Sequence, residues 1–114
     1  MAMTITFSNL EDGQEILIPY EVTGNVVSNA GNVVLLMGQI DDQELRNTET
    51  IPDLPATNVE FEFNITEADC PTSGVFSLLT IYAWDAAGAV STQCRTFKRI
   101  APLLDTLEIN LGVP

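Results

Sequence analysis

Residues 59–65, Val-Glu-Phe-Glu-Phe-Asn-Ile, alternate apolar and polar side chains without a break. Because successive side chains of a β-strand point to opposite faces of the sheet, this alternation predicts a strand with one buried face. The residues expected to face the core are Val59, Phe61, Phe63 and Ile65. The polar residues between them are expected to face solvent. This strand is the clearest in the chain and sets the expectation for the rest of the fold.

The same period of two recurs along most of the chain, with turn residues roughly every 8–15 positions. No segment keeps a helical apolar period over three turns, so the pattern predicts an all-β protein. Further strands are predicted at residues 4–7, 15–22, 32–38, 75–84 and 89–100. A short edge segment is predicted inside the acidic, proline-containing region 40–55.

Two positions carry information about the topology. Pro19 interrupts the second predicted strand, and proline cannot donate a backbone hydrogen bond, so we expect an edge, a bulge or a switch between sheets there. Asp85-Ala86-Ala87-Gly88 joins the last two strands as a four-residue hairpin loop. Pairing of Trp84 with Ala89 is therefore expected across that loop.

The segment Val33-Val34-Leu35-Leu36-Met37 is apolar on both faces. A strand of this kind lies centrally with cover on both sides, or it packs one face against a partner chain. The sequence leaves both interpretations open.

Composition excludes several classes of function. The chain has 114 residues, which suits a single domain, and its 16 acidic and 4 basic residues give a formal net charge of −12. This charge argues against nucleic acid and anionic membrane as partners. The lack of histidine removes the commonest general base and metal ligand, so we expect no enzyme, no cofactor and no metal. Neither export by a signal peptide nor a membrane anchor is expected.

The residues that could serve catalysis or metal binding are explained more simply as ordinary surface residues. Glu60 and Glu62 share a strand face about 6.5–7 Å apart, a spacing compatible with inverting glycoside hydrolysis, yet nothing predicts a cleft around them. Acidic loops offer oxygen ligands for Ca²⁺, but no Asp-x-Asp-x-Asp-Gly loop is present, so solvated charge is favoured over weak Ca²⁺ binding. The acidic loop residues in question are Asp41, Asp42, Glu44, Asp69 and Asp85.

Cys70 and Cys94 are too few for a disulfide framework or a tetrahedral metal site. With the hairpin paired as above, Cys94 lies opposite Leu79 and Cys70 falls in the preceding loop. Two reduced thiols and a single disulfide both remain open.

Most of the basic residues lie on the last predicted strand. They are Arg95, Lys98 and Arg99. Pairing with acidic residues on neighbouring strands is favoured, and a docking patch for an acidic surface is the alternative.

Residues 73–92, Ser-Gly-Val-Phe-Ser-Leu-Leu-Thr-Ile-Tyr-Ala-Trp-Asp-Ala-Ala-Gly-Ala-Val-Ser-Thr, resemble the end of bacterial and phage immunoglobulin-like domains. Those domains combine a glycine and an aromatic residue, an alternating strand, an Asp-x-x-Gly loop and a Ser/Thr-rich final strand. The opening Ile5-Thr6-Phe7, the Asp12-Gly13 turn and residues 20–24 are similar to their first strands. The resemblance covers residues 4–100. It implies an immunoglobulin-like antiparallel β-sandwich of about seven strands for residues 1–100, without the cysteine and tryptophan positions of antibody domains.

Residues 101–114 extend past the expected end of the sandwich as a C-terminal tail. Its large aliphatic residues are Leu103, Leu104, Leu107, Ile109 and Leu111. They either pack back on the same domain as an extra strand or bind another chain by strand addition, and we favour binding to another chain.

These features predict a non-enzymatic structural or binding module attached to a larger assembly. We expect an accessory virion protein that decorates or cements a phage capsid and is located on the capsid surface. The alternative is an immunoglobulin-like repeat of a bacterial cell-surface protein or adhesin. The expected partners are a protein assembly and other copies of the chain, with three copies if the host is a capsid.

Overall fold

The computed structural model describes residues 3–29 and 31–100 and shows two packed β-sheets, with no helix among these residues. The strands are β1 (Met3–Phe7), β2 (Gln14–Ile16), β3 (Tyr20–Ser28), β4 (Val33–Ile40), β5 (Arg46–Asn47), β6 (Glu49–Ile51), β7 (Asn58–Ile65), β8 (Phe76–Asp85) and β9 (Val90–Arg99). One sheet has the order β1-β3-β7-β6 and the other the order β2-β9-β8-β4-β5. Only β2 and β9 pair in parallel among the described strands. The expected all-β immunoglobulin-like sandwich is confirmed.

The chain changes sheets at Pro19, which confirms one of the expected roles of this residue. Before Pro19, β2 pairs with β9, with Gln14 opposite Phe97. After it, β3 lies in the other sheet between β1 and β7. The strand predicted at 15–22 is therefore two strands. Region 40–55 also contributes two, β5 and β6, at the edges of different sheets, which raises the count from about seven to nine.

The core lies between the sheets and contains the residues that the period of two predicts. Val59, Phe61, Phe63 and Ile65 are all buried. Two glycines make room for the aromatic rings: a Cβ on Gly24 would overlap the Phe61 ring, and a Cβ on Gly38 would overlap the Phe63 ring. The core rings therefore pack directly on backbone, where a larger residue does not fit.

The β8–β9 hairpin has a different register from the one predicted. Trp84 pairs with Val90 rather than Ala89, so Cys94 lies opposite Thr80 and not Leu79. The physical reason is the loop, which has three residues because Asp85 N–H donates to the Ala89 carbonyl at 3.0 Å and closes the hairpin. Gly88 takes a positive φ of 89°, as the residue that ends such a three-residue loop must.

The remaining sequence expectations concern the cysteines and the tail. Cys70 is buried and Cys94 is exposed, and both are free thiols, so the disulfide alternative does not hold. Burial raises the pKa of the Cys70 thiol, with a smaller opposing effect from Arg99. The tail lies outside the described residues, with all five of its proposed contact residues: Leu103, Leu104, Leu107, Ile109 and Leu111.

Candidate functional site

The two outer faces of the sandwich differ sharply in character. On the four-stranded sheet, the register places mainly threonine, asparagine and glutamate side chains on the outer face. These residues are Thr4, Thr6, Thr23, Asn25, Glu49, Glu60 and Glu62. This face resembles an ordinary solvated sheet surface, with Val27 as one of its few apolar residues.

The outer face of the five-stranded sheet carries an apolar surface. We use the term apolar face for Leu35, Met37, Tyr82, Trp84 and Val90, which lie side by side on β4, β8 and β9. One cross-strand row runs Leu35–Trp84–Val90, and the next runs Met37–Tyr82–Thr92. Val90 is 46% exposed, and Leu35 is also exposed. Met37, Tyr82 and Trp84 are half-buried.

The two aromatic rings of the apolar face support each other. The Tyr82 and Trp84 ring centroids lie 5.9 Å apart with an interplanar angle of 17°. The Tyr82 hydroxyl donates to Gln39 Oε1 at 2.7 Å. Because the rings are stacked and the hydroxyl is bonded within the sheet, the aromatic surface is already ordered before any partner binds.

Charge is absent from the part of the sheet that carries the apolar face. The rows through Trp84, Tyr82 and Thr80 contain no acidic or basic side chain on the three long strands. Charged residues of the same outer face occur at its far end, where Lys98 Nζ lies 3.6 Å from a Glu15 carboxylate oxygen. A chain with a net charge of −12 thus leaves one large surface free of carboxylates.

The basic residues of β9 have partners within the domain. Lys98 pairs with Glu15, and Arg99 Nη2 lies 3.6 Å from a Glu67 carboxylate oxygen. The Arg95 guanidinium lies 4.8 Å from the centroid of the Phe7 ring. The favoured interpretation, pairing with an acidic residue on a neighbouring strand, therefore holds for Lys98, whereas Arg99 meets Glu67 in the loop after β7 and Arg95 packs on an aromatic ring.

Arg46 and Asp69 form an ion pair that joins β5 to the loop after β7. Arg46 Nη1 and Nη2 donate to the two Asp69 oxygens, the second at 3.2 Å, and Nη2 also donates to the Asn64 carbonyl at 3.1 Å. Burial by itself would raise the pKa of Asp69. The hydrogen bonds from Arg46 and Thr66 and the Arg46 charge outweigh burial, so the pKa of Asp69 lies below its usual value.

Three of the acidic loop residues considered for Ca²⁺, Asp41, Asp69 and Asp85, are engaged in structural roles. Asp69 is bound by Arg46, and one oxygen of Asp85 accepts from the backbone N–H groups of Ala87 and Ala89 at 2.9 Å each. An Asp41 oxygen accepts from Leu78 N–H at 2.9 Å. Among residues 3–29 and 31–100, no group of three or more acidic or cysteine side chains is arranged to hold a metal ion.

The comparisons with known proteins concern the fold only. No protein-family model matches the chain, and no curated protein matches it. The endo-β-1,4-mannanase from Thermotoga petrophila contains a similar structure, with a TM-score of 0.69 and 16% identity over 90% of this chain and 20% of that one. The titin M3 domain gives a TM-score of 0.46 and 15% identity over 89% of this chain and 100% of that one. The present chain thus spans about a fifth of the mannanase chain that it matches.

In the described residues, no helix has the length and apolarity needed to cross a membrane.

The sequence predicts only part of the apolar face. The apolar segment 33–37 includes Leu35 and Met37, whereas Tyr82, Trp84 and Val90 were not predicted as a surface. A signal was available, because residues 76–84 are largely apolar at both even and odd positions. The odd positions Leu79, Ile81 and Ala83 are buried, so the even positions must face outward.

Proposed function

We propose that this chain is a non-enzymatic binding module whose apolar face is covered by protein within a larger assembly. The observation that carries the proposal is the uncharged, partly aromatic outer surface around Trp84 on a strongly acidic chain. The centres of protein interfaces are depleted in charge and enriched in aromatic residues and methionine, which is the composition of this face. Exposed apolar patches of this kind mark interaction sites more often than ordinary surface.

The assembly that we propose is a virus particle, with the chain as a phage capsid decoration or cement protein on the capsid surface. The resemblance of residues 73–92 to bacterial and phage immunoglobulin-like domains supports this assignment. In the same proposal the tail provides the anchor to the capsid, through Leu103, Leu104, Leu107, Ile109 and Leu111. Fully burying one side chain of this size contributes about 1.5–3 kcal/mol, so even a few of them suffice for anchoring.

A second candidate is an immunoglobulin-like repeat of a bacterial cell-surface protein or adhesin. The resemblance of residues 73–92 to bacterial immunoglobulin-like domains favours it. The reading frame separates the two candidates, since a frame that continues into a surface protein supports the second.

The test of the capsid proposal is co-sedimentation of the purified chain with particles of the phage that encodes it. We expect saturable binding by the full chain and at least a tenfold weaker binding by a chain that ends at Ile100. Val90→Lys is expected to weaken binding because it places a charge on the apolar face. Val27→Lys is the matched control, because Val27 is 43% exposed on the other sheet and the charge change is the same. Equal binding by all four proteins, or binding by none, would contradict the proposal.

A further inference from the structure

We propose that the apolar face is covered by the apolar face of a second copy of this chain, related to the first by a twofold axis. The inference rests on the proposed function, in which this face is a surface for protein contact. The inference identifies the partner of the apolar face as a second copy, while the tail attaches the chain to the assembly.

The distribution of charge favours a second copy over an unrelated partner. A foreign protein that recognises a chain of net charge −12 gains most from a basic surface placed against carboxylates. The rows through Trp84, Tyr82 and Thr80 carry no carboxylate on β4, β8 or β9, so the apolar face has nothing to attract such a partner. An uncharged surface fits another uncharged surface, and a second copy presents one of the same size and shape.

The dimensions of the face suit a weak pair. The strands β4, β8 and β9 together span about 14 Å across at about 4.8 Å per strand, and β4 lies beside β8 only from Leu79 to Asp85, a length of about 23 Å. The flat footprint is therefore roughly 320 Å² per copy and roughly 640 Å² for a pair, below the roughly 1,000 Å² of a stable specific interface. An interface of this size predicts weak, transient self-association.

The geometry of sheet packing explains why such a face can pair with itself. Two sheets pack face to face about 10 Å apart with their strands about 30° from parallel. A twofold axis through the face brings each row against the corresponding row of the other copy, and such a contact closes at two copies. The face therefore favours a pair over the three copies that the sequence analysis expects.

The test is the mass of the full chain in solution, measured by sedimentation velocity from about 1 to 500 µM with the Cys94 thiol kept reduced. We expect a monomer–dimer equilibrium for the natural chain. Leu35→Lys and Val90→Lys, on either side of Trp84, should each raise the dissociation constant at least tenfold. Val27→Lys, with the same charge change on the other sheet, should dimerise like the natural chain.

Trp84 gives an independent readout, because it is the only tryptophan of the chain and lies in the middle of its row. Its emission should shift to shorter wavelength, and its quenching by acrylamide should fall, over the same concentration range as the change in mass. Neither change should occur in Val90→Lys.

Several results would overturn the pair. A monomer at all concentrations would do so, as would a trimer, or a dimer that Leu35→Lys and Val90→Lys leave unchanged. A dimer that is lost on truncation after Ile100 and kept in Val90→Lys would assign self-association to the tail. The proposed function fails separately: Val90→Lys that binds particles as well as the natural chain contradicts the role of the face in the assembly, whatever the mass in solution.

Discussion

Replacement of Arg46 by alanine should destabilise this domain more than any other single change at an ion pair within the described residues. Arg46 donates to both oxygens of Asp69, whose side chain is only 5% exposed. Its guanidinium also lies 4.5 Å from the centroid of the Phe63 ring, and it donates to the Asn64 carbonyl. The substitution therefore removes a charge partner, a ring contact and a backbone hydrogen bond together.

The expected loss of unfolding free energy depends on the groups that remain around Asp69 when Arg46 is removed. Removing one partner of a buried ion pair costs about 3–5 kcal/mol, because a charge stays buried without compensation. Asp69 keeps the Thr66 N–H hydrogen bond at 2.8 Å, and the Arg46 side chain is 40% exposed, so water reaches the vacated position. We therefore expect the lower end of that range, about 3 kcal/mol of unfolding free energy. The pair Arg99–Glu67 is the control, since Glu67 is 78% exposed and Glu67→Gln should cost at most about 0.5 kcal/mol.

The assay is urea unfolding at pH 7, followed by far-ultraviolet circular dichroism, for Arg46→Ala, Glu67→Gln, Asp69→Asn and the double variant of Arg46 and Asp69. The double variant should lose less than the sum of its two single variants by at least about 1 kcal/mol, because the second change removes the charge that the first leaves unpaired. A loss below 1 kcal/mol for Arg46→Ala, or strict additivity in the double variant, would show that this ion pair is no more than a surface contact.

Three further predictions concern the same core and ion pair. The stability difference between the natural chain and Asp69→Asn should be fully present above about pH 4 and shrink as pH falls through the lowered pKa of Asp69, measured by urea unfolding at several pH values; a constant difference would contradict the ion pair. Phe61→Ala and Phe63→Ala should each cost about 3–5 kcal/mol of unfolding free energy, and losses under about 1 kcal/mol at both positions would mean that the side chains do not fill the core. Gly38→Ala should lower stability by about 1–3 kcal/mol in the same assay, because its methyl group overlaps the Phe63 ring, and an unchanged midpoint would refute that packing.

The features that the sequence predicts correctly are those with a local physical cause. The strand 59–65 shows its buried face because each second residue meets the core, and burial of Phe61 and Phe63 follows directly. Pro19 marks the change of sheet because its missing N–H group cannot take part in a central ladder. Both inferences need only a few neighbouring residues.

Features set by distant parts of the chain are not predictable in the same way. The parallel pairing of Gln14 with Phe97 joins residues 83 positions apart, and no local pattern specifies it. The hairpin register depends on whether the loop closes at Asp85. A shift of one residue would move every side chain of β9 to the opposite face of the sheet. The ion pair of Arg46 with Asp69 likewise forms only because β5 and the loop after β7 meet in space.

The basic residues of this chain contact groups of the same domain, and this limits how the chain can associate. Arg46, Lys98 and Arg99 are held in ion pairs within the domain, and Arg95 packs on Phe7. These four are all the basic residues of the chain, and only Arg95 has no carboxylate partner among the described residues, so little positive charge is left to attract an acidic partner, and the net charge of −12 makes two copies repel. Association must then come from apolar contact, and screening of the repulsion at higher ionic strength should strengthen it. A contact held by ion pairs would weaken under the same change, so the response to salt separates the apolar face from a charged interface.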